Sequence, residues 1–341
     1  MLKIGSSIGS NLDGLRACIQ GAERAEAAGL DFIAYGDTQV IYRDCFSVLT
    51  ACGLATRRVG LGPMVTNPVT RNMVVLANAL ATVDEASEGR AFMAIGVGAS
   101  AVANGGLQRA KPKELATAIQ VFRSAFRDAP GDDGRLPLDS DVISIKWAQR
   151  KVPVVVHASG PLGLRVAAEH GDAVLMRLGD VERDDLATRI AEIRERHAAG
   201  SRAGLPFEVW LYAPTGLGET PAERAGLLGV ISARGMSLDA TRTSPEFRDA
   251  HLRYQEGYDY KHHASTDEPR NVELMERLGL TGYLSDRLSL HGDETTVLQQ
   301  LAELEAIGVD RVMMQALGPD GRPVPAERLG ALATRYRARA G

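Results

Sequence analysis

Two kinds of segment alternate along this chain. Short, nearly continuous apolar runs are followed by longer stretches in which apolar residues recur every three or four positions. The runs are typical of strands buried on both faces, and the spaced stretches are typical of amphipathic helices. A chain that repeats a strand and then a helix builds a parallel sheet.

Eight such units fit the chain, which predicts an α/β fold of the (β/α)8 TIM-barrel type, as a single domain over residues 1–341. The predicted strands cover residues 2–8, 31–37, 59–61, 91–98, 153–157, 172–177, 207–212 and 310–317. The clearest predicted helices cover residues 73–86, 113–126, 162–170, 184–199, 295–307 and 326–340.

A long insertion, residues 217–293, interrupts this rhythm between strand seven and the helix before strand eight. Its pattern predicts two short helical stretches and the polar run 258–263. Because an excursion of this length in a barrel usually has a function, we expect a lid or a binding segment. His262 and His263 lie in it. Such a pair is commonly solvated, but over the barrel mouth either imidazole could bind substrate or act as an acid or base.

Composition and charge exclude several classes of protein. The chain has 341 residues, of which 45% are apolar and 24% charged, as is ordinary for a globular enzyme. A net charge of −4 leaves no electrostatic footprint for nucleic acid. No apolar stretch is long enough to span a membrane, and the amino terminus lacks the pattern of a signal peptide. The three cysteines fit neither a metal site nor a disulfide framework, so we expect a reducing cytoplasm.

The active site of a TIM barrel lies at the carboxyl ends of its strands. The side chains predicted there are polar but include no paired carboxylates, no set of metal ligands and no nucleophile elbow, which suits a protein whose chemistry comes from a bound cofactor. Arg177 could pair with a substrate anion or with a nearby carboxylate. The residues at these strand ends are Ser6, Ser7, Asp37, Thr38, residues 64–67, Gly98, Ser100, residues 157–160, Arg177, Tyr212 and Gln315.

The loop after the third strand has a distinctive sequence. Gly62-Pro63 interrupts the strand, and the polar turn from Thr66 to Thr70 leads into an apolar helix. Loops of this composition are common, but a Gly/Pro kink beside small polar side chains can also bring backbone close to a ligand. A second candidate is the turn Ser159-Gly160-Pro161, which could hold a phosphate at a helix amino terminus or could simply be a tight turn.

The run from Gly62 to Arg71, together with the segments 81–85 and 89–90, resembles the luciferase-like oxidoreductases, nearest to the branch of the methylenetetrahydromethanopterin reductases. Proteins of that family are TIM barrels that bind FMN or the deazaflavin F420. The resemblance implies a non-prolyl cis peptide between Met64 and Val65 behind the cofactor ring. It also implies a cofactor-binding set. That set is Met64, Val65, Thr66, Asn67, Gly98, Ser100, His157, Ala158, Ser159, Gly160 and Pro161.

Asp37, Thr38 and His262 are the predicted catalytic residues. A buried Asp37 needs a partner, and Arg43 is close in sequence; alternatively Asp37 caps the next helix. Thr38 and Asn72 stand where F420-dependent relatives often have histidine.

The resemblance implies three alternative functions. The first is a monooxygenase that acts on a small organic substrate with O2 and reduced FMN from a separate flavin reductase. The second is an F420-dependent hydride-transfer reductase or dehydrogenase, and the third is a non-catalytic flavin-binding protein. The motif at residues 62–71 favours the second function, whereas Thr38 and Asn72 weigh against it. A homodimer is a further implication of the resemblance.

Overall fold

A computed structural model describes residues 1–8, 14–126, 144–181, 183–236, 238–262 and 268–340. Its strands are β1 (Lys3–Ile8), β2 (Phe32–Tyr35), β3 (Gly60–Pro63), β4 (Met93–Ile95), β5 (Val154–His157), β6 (Ala173–Arg177), β7 (Glu208–Leu217), β8 (Leu290–Gly292) and β9 (Arg311–Ala316). Its α-helices are α1 (Leu15–Ala27), α2 (Cys45–Ala55), α3 (Met73–Ala86), α4 (Ser100–Asn104), α5 (Pro112–Ala125), α6 (Pro161–His170), α7 (Leu186–Ala199), α8 (Ala225–Gly235), α9 (Pro245–Glu256), α10 (Arg270–Arg277), α11 (Thr281–Leu288), α12 (Glu294–Ala306) and α13 (Ala326–Ala340).

The strands form one parallel sheet in the order β3-β2-β1-β9-β7-β6-β5-β4. The two ends of this order, β3 and β4, meet through isolated bridges at Leu61–Ala91 and Thr66–Ile95, which nearly close the sheet into a barrel. Eight strands therefore line the barrel, and the short β8 pairs outside this path with the end of β7. The predicted TIM barrel is confirmed.

The backbone bulges between the two bridges that join β3 to β4. Strand β3 ends at Pro63, and pairing with β4 resumes only at Thr66, whose N–H donates to the carbonyl of Ala94 at 2.9 Å. The intervening peptide bond, Met64–Val65, is cis, as the family resemblance implied. The bulge thus lies at the carboxyl end of the barrel.

An aromatic layer fills the barrel interior. The ring of Trp210 lies 5.0 Å from the rings of both Phe32 and Phe92. At the amino-terminal end, the Arg311 guanidinium stacks 4.6 Å from the Trp210 ring and forms two hydrogen bonds, of 2.6 and 2.9 Å, to the Glu208 carboxylate. This packed floor leaves the opposite, carboxyl end for a ligand.

The insertion between β7 and β8 has a hydrophobic core of its own. Four α-helices, α8 to α11, pack around side chains that include Ile231, Tyr254, Met275 and Leu284. The prediction of two short helical stretches was therefore wrong. Helix α8 is apolar on most of its surface and shows no clear amphipathic pattern, and α10 and α11 have only eight residues each. None of the helices in the described ranges has the length and apolar character needed to cross a membrane.

Candidate active site

The inward-facing side chains at the barrel mouth follow from strand alternation. Val155, Leu175, Trp210 and Met313 belong to the interior cluster, so the residue two positions later on each strand also points inward. Those residues are His157, Arg177, Tyr212 and Gln315. Four neighbouring strands, β5, β6, β7 and β9, therefore present polar groups to one side of the mouth.

On the opposite side of the mouth, a buried hydrogen-bond network supports the bulge. The Thr66 hydroxyl donates to Asp37 Oδ2 at 2.7 Å, and Arg71 Nη1 donates to both carboxylate oxygens of Asp37 at 2.7 and 2.6 Å. A third donor, Gln39 Nε2, lies 3.0 Å from Asp37 Oδ1. The second Arg71 nitrogen donates to Asp44 at 2.8 Å. Asp37 is thus a structural anchor between the end of β2 and the bulge.

Both earlier interpretations of Asp37 are corrected by these contacts. Its ion-pair partner is Arg71, at 2.6 Å, and not the nearby Arg43. The residue that caps α2 is Asp44, whose carboxylate accepts from the Ser47 N–H at 2.9 Å. The catalytic role predicted for Asp37 stays a prediction, although its carboxylate already accepts three donor groups.

Several predicted residues meet in pairs around the bulge. The hydroxyls of Thr38 and Ser100 are 3.1 Å apart, which joins the ends of β2 and β4. Asn67 Oδ1 accepts from two backbone N–H groups at 3.0 and 2.9 Å and so shapes its own turn. A Cβ on Gly98, whose φ of +90° favours glycine, would lie 3.4 Å from the Asn67 Cβ.

His157 lies beside the bulge. A Cβ on Gly96 would lie 3.4 Å from His157 Nδ1 and 3.5 Å from Val65 Cγ2, so these two side chains flank the same glycine. Burial lowers the pKa of His157 to about 4, with Asp180 opposing this shift and Arg177 and Arg234 adding to it. The imidazole is therefore neutral at physiological pH and can accept or donate a hydrogen bond.

Two arginines and a tyrosine line the far side of the mouth. Arg177 is paired with Asp180. Arg234, from α8 of the insertion, has its guanidinium carbon 6.0 Å from the centre of the Tyr212 ring. Burial raises the pKa of Tyr212 to about 12, with Arg234 opposing the shift, so its phenol is neutral.

The turn between β5 and α6 is partly exposed. Ala158 is buried, whereas Gly160 is exposed and no atom lies within 4 Å of a Cβ built on it. Helix α6 begins at Pro161 without a side-chain hydrogen bond at its N-cap. Ser159, Gly160 and Pro161 therefore leave room for an anionic group at the positive end of the helix.

His262 stands apart from these residues. Its Nδ1 lies 2.7 Å from an Asp259 oxygen and its Nε2 lies 3.0 Å from a Glu268 oxygen, and both carboxylates belong to the insertion. These two contacts indicate that His262 joins Asp259 and Glu268 within the insertion. The catalytic role of His262 stays a prediction, and neither contact supports it. His263 lies outside the described residues.

Sequence reasoning missed two contributors to the mouth. Arg71 was quoted only as part of the loop motif, and its pairing with Asp37 spans 34 positions. Arg234 lies in the insertion, where no pattern connects it with the barrel. Asn72 has a local role instead, since its side chain accepts from the Val74 N–H at 2.9 Å and caps α3.

The mouth therefore has the geometry of a cofactor-dependent TIM-barrel enzyme. Asp37 and Asp180 are each paired with an arginine, and the described ranges contain no cluster of three or more metal-ligating side chains. Polar side chains at the strand ends surround the mouth above the aromatic layer. Such a site can bind and orient a reactive cofactor but supplies little chemistry of its own.

Comparison with known proteins identifies the family. The model of the luciferase-like monooxygenase family matches residues 2–311, and the chain belongs to that family. It is 26% identical over 318 residues to a 5,10-methylenetetrahydromethanopterin reductase from Archaeoglobus fulgidus, an alignment that covers 87% of this chain and 88% of that protein. The chain is thus an oxidoreductase of the luciferase-like superfamily.

Solved structures of low sequence identity share its fold. The coenzyme F420-dependent tetrahydromethanopterin reductase from Methanopyrus kandleri superposes with a TM-score of 0.68 at 22% identity, over 98% of both chains. A monooxygenase from Streptomyces bottropensis superposes with a TM-score of 0.64 at 16% identity, over 99% of both chains. The same barrel fold therefore occurs in a coenzyme F420-dependent reductase and in a monooxygenase.

Proposed function

We propose that this protein is an F420-dependent oxidoreductase that transfers a hydride between F420 and a small organic substrate. The observation that carries the proposal is the similarity, over 87% of the chain, to a methylenetetrahydromethanopterin reductase. The mouth of the barrel is compatible with this function, because its carboxylates are held by arginines and its central histidine is neutral.

The residues at the mouth fit the deazaflavin in two places. The bulge at Met64–Val65, with Gly96 beside it, offers an apolar surface on which a flat ring could lie. The turn at Ser159–Pro161 offers space for a phosphate at the amino terminus of α6. F420 bound there would accept or donate a hydride, which carries two electrons.

The protein's own residues would bind and orient the cofactor and the substrate, and they would exclude water from the site. The Asp37–Arg71–Thr66 network fixes the bulge against which the ring would lie. His157, neutral and beside Val65, can hold a hydrogen bond to the ring or to a substrate hydroxyl. The insertion, which brings Arg234 to the mouth, would act as the predicted lid over the bound substrate.

A second candidate is a monooxygenase that uses reduced FMN. The observation that favours it is Thr38, whose hydroxyl contacts Ser100 at a position where F420-dependent relatives often have an imidazole. The superposition with a monooxygenase shows that the same barrel also serves that chemistry in another protein. A separate flavin reductase would then be required as a partner.

Cofactor titration distinguishes the two functions. Purified apo protein is titrated with F420, oxidised FMN and reduced FMN, and binding is followed by fluorescence. We expect saturable, micromolar or tighter binding of F420 and weak or no binding of FMN. If the protein instead prefers reduced FMN and consumes oxygen, the F420-dependent function is rejected in favour of the monooxygenase. Binding of none of the three would reject both.

A pair of glycine variants tests where the cofactor binds. Gly160→Leu fills the open space at the β5–α6 turn and should weaken F420 binding at least tenfold without unfolding the protein. Gly282→Leu is the matched control, because it also meets no atom within 4 Å but lies on the exposed face of α11 in the insertion. Equal F420 affinity in both variants would show that the cofactor does not use this turn.

A further inference from the structure

Arg177 and Arg234 present buried N–H groups that have no acceptor. Within the described residues, Arg177 Nε and Arg234 Nε and Nη1 are shielded from solvent and lack a hydrogen-bond partner. Buried donors are almost always satisfied, since leaving one unpaired costs the free energy of desolvating it. Three unpaired guanidinium donors at one side of a barrel mouth therefore call for an acceptor that binds there.

The two arginines are close enough to act together. Arg177 ends β6 beside Tyr212 on β7, and the Arg234 guanidinium carbon lies 6.0 Å from the Tyr212 ring. Burial, together with the positive charge of Arg177, lowers the pKa of Arg234 to about 10. Their charges therefore repel each other inside a partly desolvated site.

The charge on this side of the mouth is positive. Asp180 neutralises one arginine through its ion pair with Arg177, whereas no carboxylate of the described residues pairs with Arg234. His157 and Tyr212 are both neutral at physiological pH. One excess positive charge thus remains beside the unpaired donors.

We infer that the substrate of this enzyme is an organic anion, whose carboxylate or phosphate lies between Arg177 and Arg234. An oxyanion of either kind would accept the unpaired N–H groups and relieve the repulsion between the guanidinium groups. The remainder of the substrate would then reach past His157 towards the bulge. This inference deepens the proposed function, on which it rests, by naming the substrate class.

Two different oxyanions could bind between Arg177 and Arg234: one that belongs to the substrate, or one that belongs to the cofactor. The turn at Ser159–Pro161 follows β5, whereas Arg177 ends the neighbouring strand β6, so the phosphate of the cofactor has a candidate place of its own. Arg234 comes from the insertion, which is not part of the barrel wall. These positions favour the substrate, and the experiment distinguishes the two sources.

The test is a calorimetric titration of inorganic phosphate into the full-length protein, with and without saturating F420, against sodium chloride of equal ionic strength. We expect saturable phosphate binding that persists with F420 bound. Arg234→Met and Arg177→Met should each weaken it about 10- to 100-fold, because each removes charged donors from a desolvated anion. Arg234→Lys, which keeps the charge but not the fork of donors, should weaken it less.

Arg277→Met is the control, since Arg277 also lies in the insertion but on its exposed surface. The phosphate affinity of Arg277→Met should equal that of the unmodified protein within about twofold. The F420 affinity of every variant should also stay within about twofold of the unmodified protein's. Circular dichroism checks folding, and the lysine variant keeps the test decisive if Arg234→Met does not fold.

The outcomes separate this inference from the proposed function. Phosphate binding that depends on Arg177 and Arg234 supports the inference even if F420 fails to bind, in which case only the cofactor assignment fails. Absence of phosphate binding, or binding unchanged in the arginine variants, overturns it. Displacement of phosphate by F420 also overturns it, because the oxyanion would then belong to the cofactor.

Discussion

The ion pair between Asp37 and Arg71 should contribute several kilocalories per mole to stability. Only 2% of the Asp37 side chain and 16% of the Arg71 side chain are exposed, so neither charge can recover its hydration if the other is removed. Breaking a buried pair costs about 3–5 kcal/mol. Arg71 would retain Asp44, whose side chain is 50% exposed. We therefore expect Asp37→Asn to lower the free energy of unfolding by about 3 kcal/mol, the lower end of that range.

A double-mutant cycle measures the interaction itself. Asp37→Asn, Arg71→Met and the double variant are unfolded in urea, with tryptophan fluorescence and circular dichroism followed together to check that the transition has two states. The coupling energy should be about 2 kcal/mol or more. The control is the same double-mutant cycle on the exposed pair Arg57 and Glu88. Their side chains are 70% and 76% exposed, and their closest charged atoms are 3.6 Å apart.

The control pair should couple by about 0.5 kcal/mol or less. A coupling energy for Asp37 and Arg71 that is as small as this would refute the structural role of the network. The same variants also test the catalytic prediction. If Asp37 acts only as an anchor, activity should fall in Arg71→Met as well as in Asp37→Asn, whereas a catalytic carboxylate would make Asp37→Asn far more damaging than Arg71→Met.

Three further predictions concern single sites. Because the pKa of His157 is lowered to about 4, the unfolded chain binds a proton between pH 6.5 and 4 that the folded protein does not bind. The free energy of unfolding should therefore fall by at most about 3 kcal/mol as the pH drops from 6.5 to 4. Urea unfolding of His157→Gln should show a flatter pH dependence. Burial raises the pKa of Cys52 to about 11 and also shields Cys18 and Cys45, so dithionitrobenzoate should react with none of the three thiols until the protein is unfolded. A Cβ on Gly62 would lie 2.4 Å from the Phe92 ring, so Gly62→Ala should destabilise the protein by about 1–3 kcal/mol in urea unfolding. Gly282→Ala, which meets no atom and lies in a helix, should not destabilise it.

The barrel could be predicted because its signals are local. Strands such as β4, β5 and β6 are short, mostly apolar runs, and the bounds of α3 follow from an apolar stretch with Asn72 at its start. Helix α2 gave no clear signal, because apolar residues occupy nearly all of its positions and leave no amphipathic face to recognise. The predicted end of strand seven at residue 212 was also wrong, since β7 continues to Leu217, where it pairs with β8.

The candidate site could be predicted only where it depends on the carboxyl ends of consecutive strands. Thr38, Thr66 and His157 were placed at the mouth by counting strands. In the structure Thr38 contacts Ser100, Thr66 contacts Asp37, and His157 and Val65 flank Gly96. The partner of Asp37 could not be predicted in this way, because its position depends on the path of the loop after the bulge. Proximity in sequence suggested Arg43, but the chain turns so that Arg71 reaches the carboxylate.

The two sides of the mouth come from parts of the chain with different constraints. The side proposed for the cofactor is built from β2 to β5, whose ends are fixed by the barrel ladder and by the Asp37 network. The side proposed for the substrate depends on Arg234, which is held by an insertion with a separate hydrophobic core. Residues in the insertion can therefore change without disturbing the ladder. For this reason the proposed cofactor class rests on motifs in the barrel, whereas the proposed charge of the substrate depends on how the insertion places Arg234 beside Tyr212.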